Sequence, residues 1–209
     1  MIKIIDDFFD DPDSVVSLSE TMEFSLKNPQ WPGVRTQDLR KHAPNVKDMF
    51  VKHICDNYPR LNPFELNRDF RSGFQKITSF SKDQYDLKNK GWAHRDTNTL
   101  WAGILYLNKN PEPDTGTVFY KGPQDKSLYK ECLEQKMDLY AGVAVNKEKY
   151  DDAYERMHSQ LEVDRIVDPI FNRMVIFKGS DVFHAAHTYG ISQTRLTYVW
   201  FALDKPFQM

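Results

Sequence analysis

From Phe70 onward the chain reads as a succession of strands, and this constrains its fold more than any other feature. Residues 100–107 (Leu-Trp-Ala-Gly-Ile-Leu-Tyr-Leu) form a continuous apolar run short enough for a buried strand. Residues 117–120, 173–177 and 196–203 give three more candidates, and 74–80 alternates loosely. Aromatic residues make up 13% of the chain, with 14 Phe and 10 Tyr, and aromatics favour the pleated, half-buried surface of a sheet. Ahead of these strands lie a short opening strand at 2–5 and two helical segments. One starts at Asp11-Pro12, an N-cap followed by proline at the first helical position, and runs to about Met22. The other follows Asn45, where Val46, Met49, Phe50, His53 and Ile54 share one helical face. Helices followed by strands imply either an α+β fold or a mainly β fold with flanking helices, a sandwich covered on one face.

A length of 209 residues suits a single domain spanning 1–209, with N-terminal helices at about 11–58. Residues 28–36 (Asn-Pro-Gln-Trp-Pro-Gly-Val-Arg-Thr) read as a Pro/Gly turn region. Residues 121–168 break the strand rhythm. They are charged and carry a helical stretch near 147–161, so they read as an insertion between strands, either a solvated decoration or a lid over a substrate.

The net charge is −2 and the estimated pI about 6.3, with no long basic run, which disfavours nucleic acid as the main partner. Cys55 and Cys132 lie far apart and lack metal-type spacing. Two such cysteines, no signal-like apolar N-terminus and no apolar stretch near the roughly 20 residues of a membrane span lead to the expectation of a soluble, cytoplasmic protein.

His94-Arg95-Asp96 places an imidazole and a carboxylate on one face of an extended segment. With 6 His in 209 positions and this chain's Asp content, about 0.6 such pairs arise by chance, so the pair alone decides little. Downstream, 172–177 reads as a strand that ends in the turn Lys178-Gly179-Ser180, with His184 and His187 following. Two histidines and one carboxylate with open coordination positions form the ligand set of non-haem Fe(II) oxygenases. Arg195 heads a further strand with Thr197 on the same face, and an Arg there suits the distal carboxylate of a dicarboxylate cosubstrate. Considered in isolation, a surface His, an exposed Asp and a salt-bridged strand-end Arg explain these residues as well. His53 reads as an ordinary helix-face histidine and Asn108 as a turn residue.

Taken in order, Gly-Trp-Ala-His-Arg-Asp, Gly-Ile-Leu-Tyr-Leu-Asn, Thr-Gly-Thr-Val-Phe-Tyr and Asn-Arg-Met-Val-Ile-Phe-Lys-Gly-Ser-Asp-Val-Phe-His, with Arg195-Leu-Thr behind them, carry a resemblance. The sequence resembles the 2-oxoglutarate/Fe(II)-dependent dioxygenase superfamily, nearest to its prolyl 4-hydroxylase-like branch, over about 74–203 without the insertion. The resemblance implies a double-stranded β-helix, or jelly roll, as the core. It implies Fe(II) held by His94, Asp96 and His184, and 2-oxoglutarate held by Arg195 with Tyr106 and Thr197 beside it. His187 competes with His184 for the third ligand position. The length of 121–168 departs from the usual short link at that point.

The implied activity is hydroxylation of a C–H bond in a small-molecule or peptidyl substrate, with a free or peptidyl amino acid as the first expectation. Trp92, Trp101 and Arg35 are candidate pocket residues, although core packing accounts for the tryptophans equally well. An inactive jelly-roll binding module and a cupin with another metal are the competing classes. Arg195 argues against the cupin, which needs no dicarboxylate anchor.

Overall fold

In a computed structural model, residues 1–203 are described apart from 64–65, 67–68 and 123–125. The chain opens with β1 (Ile2–Ile5) and α1 (Pro12–Glu20). Asp11 caps α1, its carboxylate accepting the Ser14 N–H at 3.1 Å. The segment expected to be a turn region instead supplies most of a hairpin, β2 (Phe24–Asn28) and β3 (Trp31–Thr36). Asn28 Oδ1 accepts the Gln30 N–H at 2.8 Å to close it. β3 tolerates Pro32 and Gly33 because only its Val34 and Arg35 pair with the next strand.

After α2 (Leu39–His42) and α3 (Pro44–Asn57) come β4 (Phe70–Ile77), β5 (Thr99–Tyr106) and β6 (Thr117–Lys121). The inserted segment holds α4 (Lys126–Ala141) and α5 (Lys147–His158), and ends in β7 (Glu162–Val167). β8 (Met174–Phe177), β9 (Phe183–Ala186) and β10 (Arg195–Leu203) complete the chain. The strands form two antiparallel sheets, a seven-stranded one in the order β1-β8-β5-β10-β4-β3-β2 and a three-stranded one in the order β7-β6-β9. The result is a mainly β jelly-roll sandwich with flanking helices.

The alternation of β10 explains how one sheet serves two cores. Tyr198, Trp200 and Ala202 face α1 and α3, in a cluster with Phe8, Phe50, Ile54 and Phe74. Phe50 stacks on Tyr198 with ring centroids 3.7 Å apart. Burying each such ring contributes about 1.5–3 kcal/mol. Arg195, Thr197, Val199 and Phe201 take the opposite parity and face the second sheet. Between the sheets lies a smaller core that includes Ala102, Tyr106, Phe119, Val175 and Phe177.

The insertion packs on the rest of the chain through its helices, while β7 stays exposed except at Val167. β7 pairs with β6 along the three-stranded sheet. Leu139, Tyr140, Tyr150, Tyr154 and Met157 of α4 and α5 are buried with Trp92 and Phe183. The Trp92 indole N–H donates to the Tyr150 hydroxyl at 2.7 Å. Among the described residues, no helix is long and apolar enough to cross a membrane.

Candidate metal centre

The two histidines of the candidate ligand set meet because their backbones pair. His94 N–H donates to His184 O and His184 N–H to His94 O, both at 3.0 Å. Residues opposed in this way project their side chains to the same face. The two rings accordingly sit 4.5 Å apart between centroids. Gly91 allows this approach: its N–H donates to Ala186 O at 3.0 Å, and a Cβ on it would lie 2.6 Å from the Ala186 backbone. Asp96 is fixed from the other side by the loop after β8. Its N–H donates to Gly179 O at 3.0 Å, and the Ser180 hydroxyl donates to Asp96 O at 2.9 Å.

One ligand-type atom from each of His94, Asp96 and His184 lies within 4.8 Å of the others. Asp96 Oδ1 is 3.7 Å from His94 Nε2, and Asp96 Oδ2 is 3.5 Å from His184 Nε2. The tautomers follow from the backbone. His94 Nδ1 is 2.9 Å from Trp92 O and His184 Nδ1 is 3.2 Å from Val182 O. A carbonyl only accepts, so each Nδ1 carries the proton and each neutral ring turns the Nε2 lone pair inward. Burial, reinforced by the neighbouring His184, holds the His94 pKa well below the usual imidazole value. Burial raises the Asp96 pKa against the opposing pull of His184 and Arg35. Asp96 Oδ2 is buried without a hydrogen-bond partner among the described residues. Two imidazole lone pairs and a carboxylate oxygen directed at one point suit a divalent cation with mixed N/O ligands.

Arg195 and Thr197 share a face of β10, as period 2 requires. Arg195 is buried and lines the same cavity as the three ligand candidates. Its Nε donates to Thr115 O at 2.7 Å, and no carboxylate pairs with it among the described residues. Burial lowers its pKa, and Tyr106 opposes that shift. Tyr106 lies beside it with the ring centroid 5.5 Å from the guanidinium carbon, and the Tyr106 hydroxyl is 2.6 Å from Thr117 Oγ1. Thr197 is fully buried and its hydroxyl lacks a partner among the described residues, but Thr117 is the threonine that lines the cavity.

His187 is placed elsewhere. It follows the end of β9, its N–H donates to Gly116 O, and its Nδ1 lies 3.6 Å from Asp114 in a separate surface pocket. His53 is a helix-face residue whose Nε2 meets Phe8 O at 2.5 Å. Asn108 ties the segment after β5 to the start of β10, donating to Thr194 O and accepting from Leu196 N–H. Trp92 and Arg35 line the cavity, whereas Trp101 packs edge-on against Tyr58 in the helix-side core. Sequence reasoning missed Lys136 and Tyr140 of α4 and Tyr189, which also line the cavity. A lysine in a charged helix carries no local sign that it faces inward.

The fold is a jelly roll, and it is similar to that of several solved structures. The epimerase SnoN from nogalamycin biosynthesis superposes with a TM-score of 0.60 at 10% identity, over 97% of this chain and 76% of SnoN. HygX from Streptomyces hygroscopicus, in a structure with nickel, 2-oxoglutarate and hygromycin B bound, gives 0.56 at 14%, over 96% and 81%. A prolyl hydroxylase from Trichoplax adhaerens, in complex with a hypoxia-inducible-factor peptide fragment, gives 0.56 at 12%, over 97% and 83%. At these identities the likeness establishes the fold. The chain itself belongs to DUF6445, a family of unknown function, whose model matches residues 1–196. No curated protein matches the sequence.

Proposed function

We propose that this protein is an Fe(II)- and 2-oxoglutarate-dependent dioxygenase that hydroxylates a C–H bond of a small-molecule or peptidyl substrate. The observation that carries this reading is the convergence of His94, Asp96 and His184 in a cavity that also contains a buried Arg195 with no carboxylate partner among the described residues. His94, Asp96 and His184 are the residues that would hold the iron, and the donor set fits: two neutral imidazoles with inward Nε2 and a carboxylate with an unpartnered oxygen. Iron(II) with bound 2-oxoglutarate supplies the oxidising chemistry, in which O₂ is consumed, the cosubstrate becomes succinate and CO₂, and a substrate C–H bond becomes C–OH.

The remaining work belongs to the chain. Trp92 O and Val182 O fix the ring tautomers of His94 and His184, and thereby the ligand orientation. Arg195, which has no carboxylate partner among the described residues, offers its guanidinium to the distal carboxylate of 2-oxoglutarate, and Tyr106 and Thr117 set a hydroxyl pair beside it. Phe119 and Phe177 pack around His184 and keep water from that side of the site.

The test is anaerobic calorimetry with Mn(II), then thermal unfolding with 2-oxoglutarate, then a substrate screen read by succinate release. One metal site per chain and a 2-oxoglutarate-dependent rise in Tm only in the metal-loaded protein are expected. An absence of metal binding at neutral pH would sink the proposal.

A further inference from the structure

Two cations line the candidate site that the proposed chemistry does not use. Arg35 comes from β3, and Lys136 from α4 in the insertion. Both face the cavity that contains His94, Asp96, His184 and Arg195. Arg35 is held by neutral groups: its guanidinium carbon sits 4.4 Å over the Trp31 ring, and Nη2 donates to Gln75 Oε1 at 3.3 Å. Its Nε is buried with no partner among the described residues. Lys136 is 5% exposed, with its ammonium 5.6 Å from the Tyr140 ring centroid and no ion pair among the described residues.

Burying a cation without a counter-ion is costly, so a protein that keeps two such groups facing one cavity has a use for them. Desolvation holds Arg35 down to about 10 and Lys136 to about 8. In both cases the opposing influence among the described residues is Asp96, which the proposed iron would already engage. The charge ledger gives the ligand its sign. The iron and the dianionic cosubstrate cancel. Asp96 offsets one of the three arginine and lysine charges, and two positive charges remain for the substrate to meet.

We propose that Arg35 and Lys136 form an oxyanion subsite that recognises a carboxylate or phosphate group on the substrate, so that the enzyme acts on an anionic small molecule. This rests on the dioxygenase reading and narrows its substrate class. Arg35 stands at the threshold of the site. With Trp31, Val199 and Phe201 it also lines an adjoining cleft of about 1000 Å³, large enough for the body of a substrate whose acidic group reaches inward. Trp31 supports the planar guanidinium from one side and leaves its fork for a bidentate contact. The cosubstrate has its own anchor in Arg195, which comes from β10, a different element from the hairpin and insertion that bring these two cations.

The experiment is calorimetry on protein loaded with Mn(II) and 2-oxoglutarate, comparing N-acetylglycine, its uncharged methylamide and inorganic phosphate as probes. Binding of N-acetylglycine but not the methylamide, weakened about tenfold or more in both Arg35→Gln and Lys136→Met, is the expected result. Binding of phosphate alone, with the same loss in the variants, assigns the oxyanion to a phosphate ester. Equal binding of acid and amide, no anion binding at millimolar concentration, or unchanged affinity in both variants overturns the proposal. The thermal shift caused by 2-oxoglutarate is measured alongside. If the variants lose it, these residues anchor the cosubstrate and the subsite assignment is wrong. If the parent lacks it, the dioxygenase reading itself fails.

Discussion

The floor and the wall of the cavity are built by different rules. The floor consists of His94, Asp96, His184 and Arg195, each fixed through backbone hydrogen bonds of the sheets or their connecting loops. Its geometry is set by strand pairing and by the two-residue period of β10. The wall consists of Trp31, Arg35, Lys136 and Tyr140, brought in by the β2–β3 hairpin and the inserted helix α4. Its hairpin part is only sparsely paired, β3 meeting β4 at Val34 and Arg35 alone, and its helical part, α4 with α5, is held by aromatic packing and by side-chain hydrogen bonds such as that from Trp92 to Tyr150. The difference teaches what each part answers to: the floor follows from the pairing of the jelly-roll strands, and the wall follows from segments packed beside them, which on the reading proposed above is where a substrate would be chosen.

The sharpest way to break the comparison is at the floor. His184→Ala should lower metal affinity by at least about 100-fold, since even the hydrogen-bond partners of metal ligands cost 10–100-fold when removed. His187→Ala should leave it within about twofold, because His187 faces Asp114 in another pocket. Calorimetry with Mn(II) on both variants checks this, and the reverse pattern would transfer the ligand role to His187. Next in size, Arg195→Ala should weaken 2-oxoglutarate binding by roughly 100-fold, the order expected when one partner of a buried charge pair is truncated. Metal affinity should be retained. An equal 2-oxoglutarate-induced Tm shift in variant and parent would show that another cation anchors the cosubstrate.

The same contrast governs what could be read from the sequence. Strands β5, β6, β8 and β10 were legible because their apolar runs or alternation survive in the finished sheet. Arg195 and Thr197 fall on one face for that reason. The partnership of His94 and His184 depends on two segments 90 residues apart pairing across the sandwich, which periodicity alone does not reveal; only the ordered motifs pointed there. Much of the wall was illegible. β3 contains Pro32 and Gly33 at positions its sparse pairing excuses, so it reads as a turn. β7 exposes every residue except Val167, so no apolar face marks it as a strand. α4 is weakly amphipathic, and Lys136 faces inward because of where the helix docks, which its neighbours in sequence do not encode.

The acid response of the wall offers a third test. His158 is the last residue of α5; it is half-buried, and its Nε2 accepts the Ala93 N–H at 3.1 Å. Its Nδ1 lies 2.9 Å from Tyr154 O, so the proton is on Nδ1 and the ring is neutral as it bonds Ala93. Desolvation depresses its pKa to about 4. The unfolded chain therefore takes up this proton first, near 6.5, and the folded chain only near 4. Stability from this group is fully present above about pH 6.5 and falls as the pH drops towards 4, by up to about 3 kcal/mol. Urea unfolding from pH 7 to pH 4 should show this slope, and His158→Gln should flatten it. A variant with the parent's pH dependence would remove His158 from the account.

The smallest expected effect separates the regions most cleanly. Tyr150→Phe removes one oxygen from the wall and leaves the Trp92 indole N–H buried without its partner. An unsatisfied buried donor costs about 1–3 kcal/mol, with the low end applying if water reaches it. The aromatic contact survives, because the rings meet edge to face at 5.6 Å through carbon atoms the substitution keeps. Trp92 stands two residues before His94, and its carbonyl fixes the His94 tautomer. That carbonyl belongs to the backbone, which is tied to the sheets through the Gly91–Ala186 and His94–His184 hydrogen bonds. The variant should therefore unfold at lower urea while binding Mn(II) with unchanged affinity. A loss of stability together with a comparable loss of metal affinity would mean that wall and floor form one energetic unit, and that the inserted helices help to orient the metal ligands as well as lining the site.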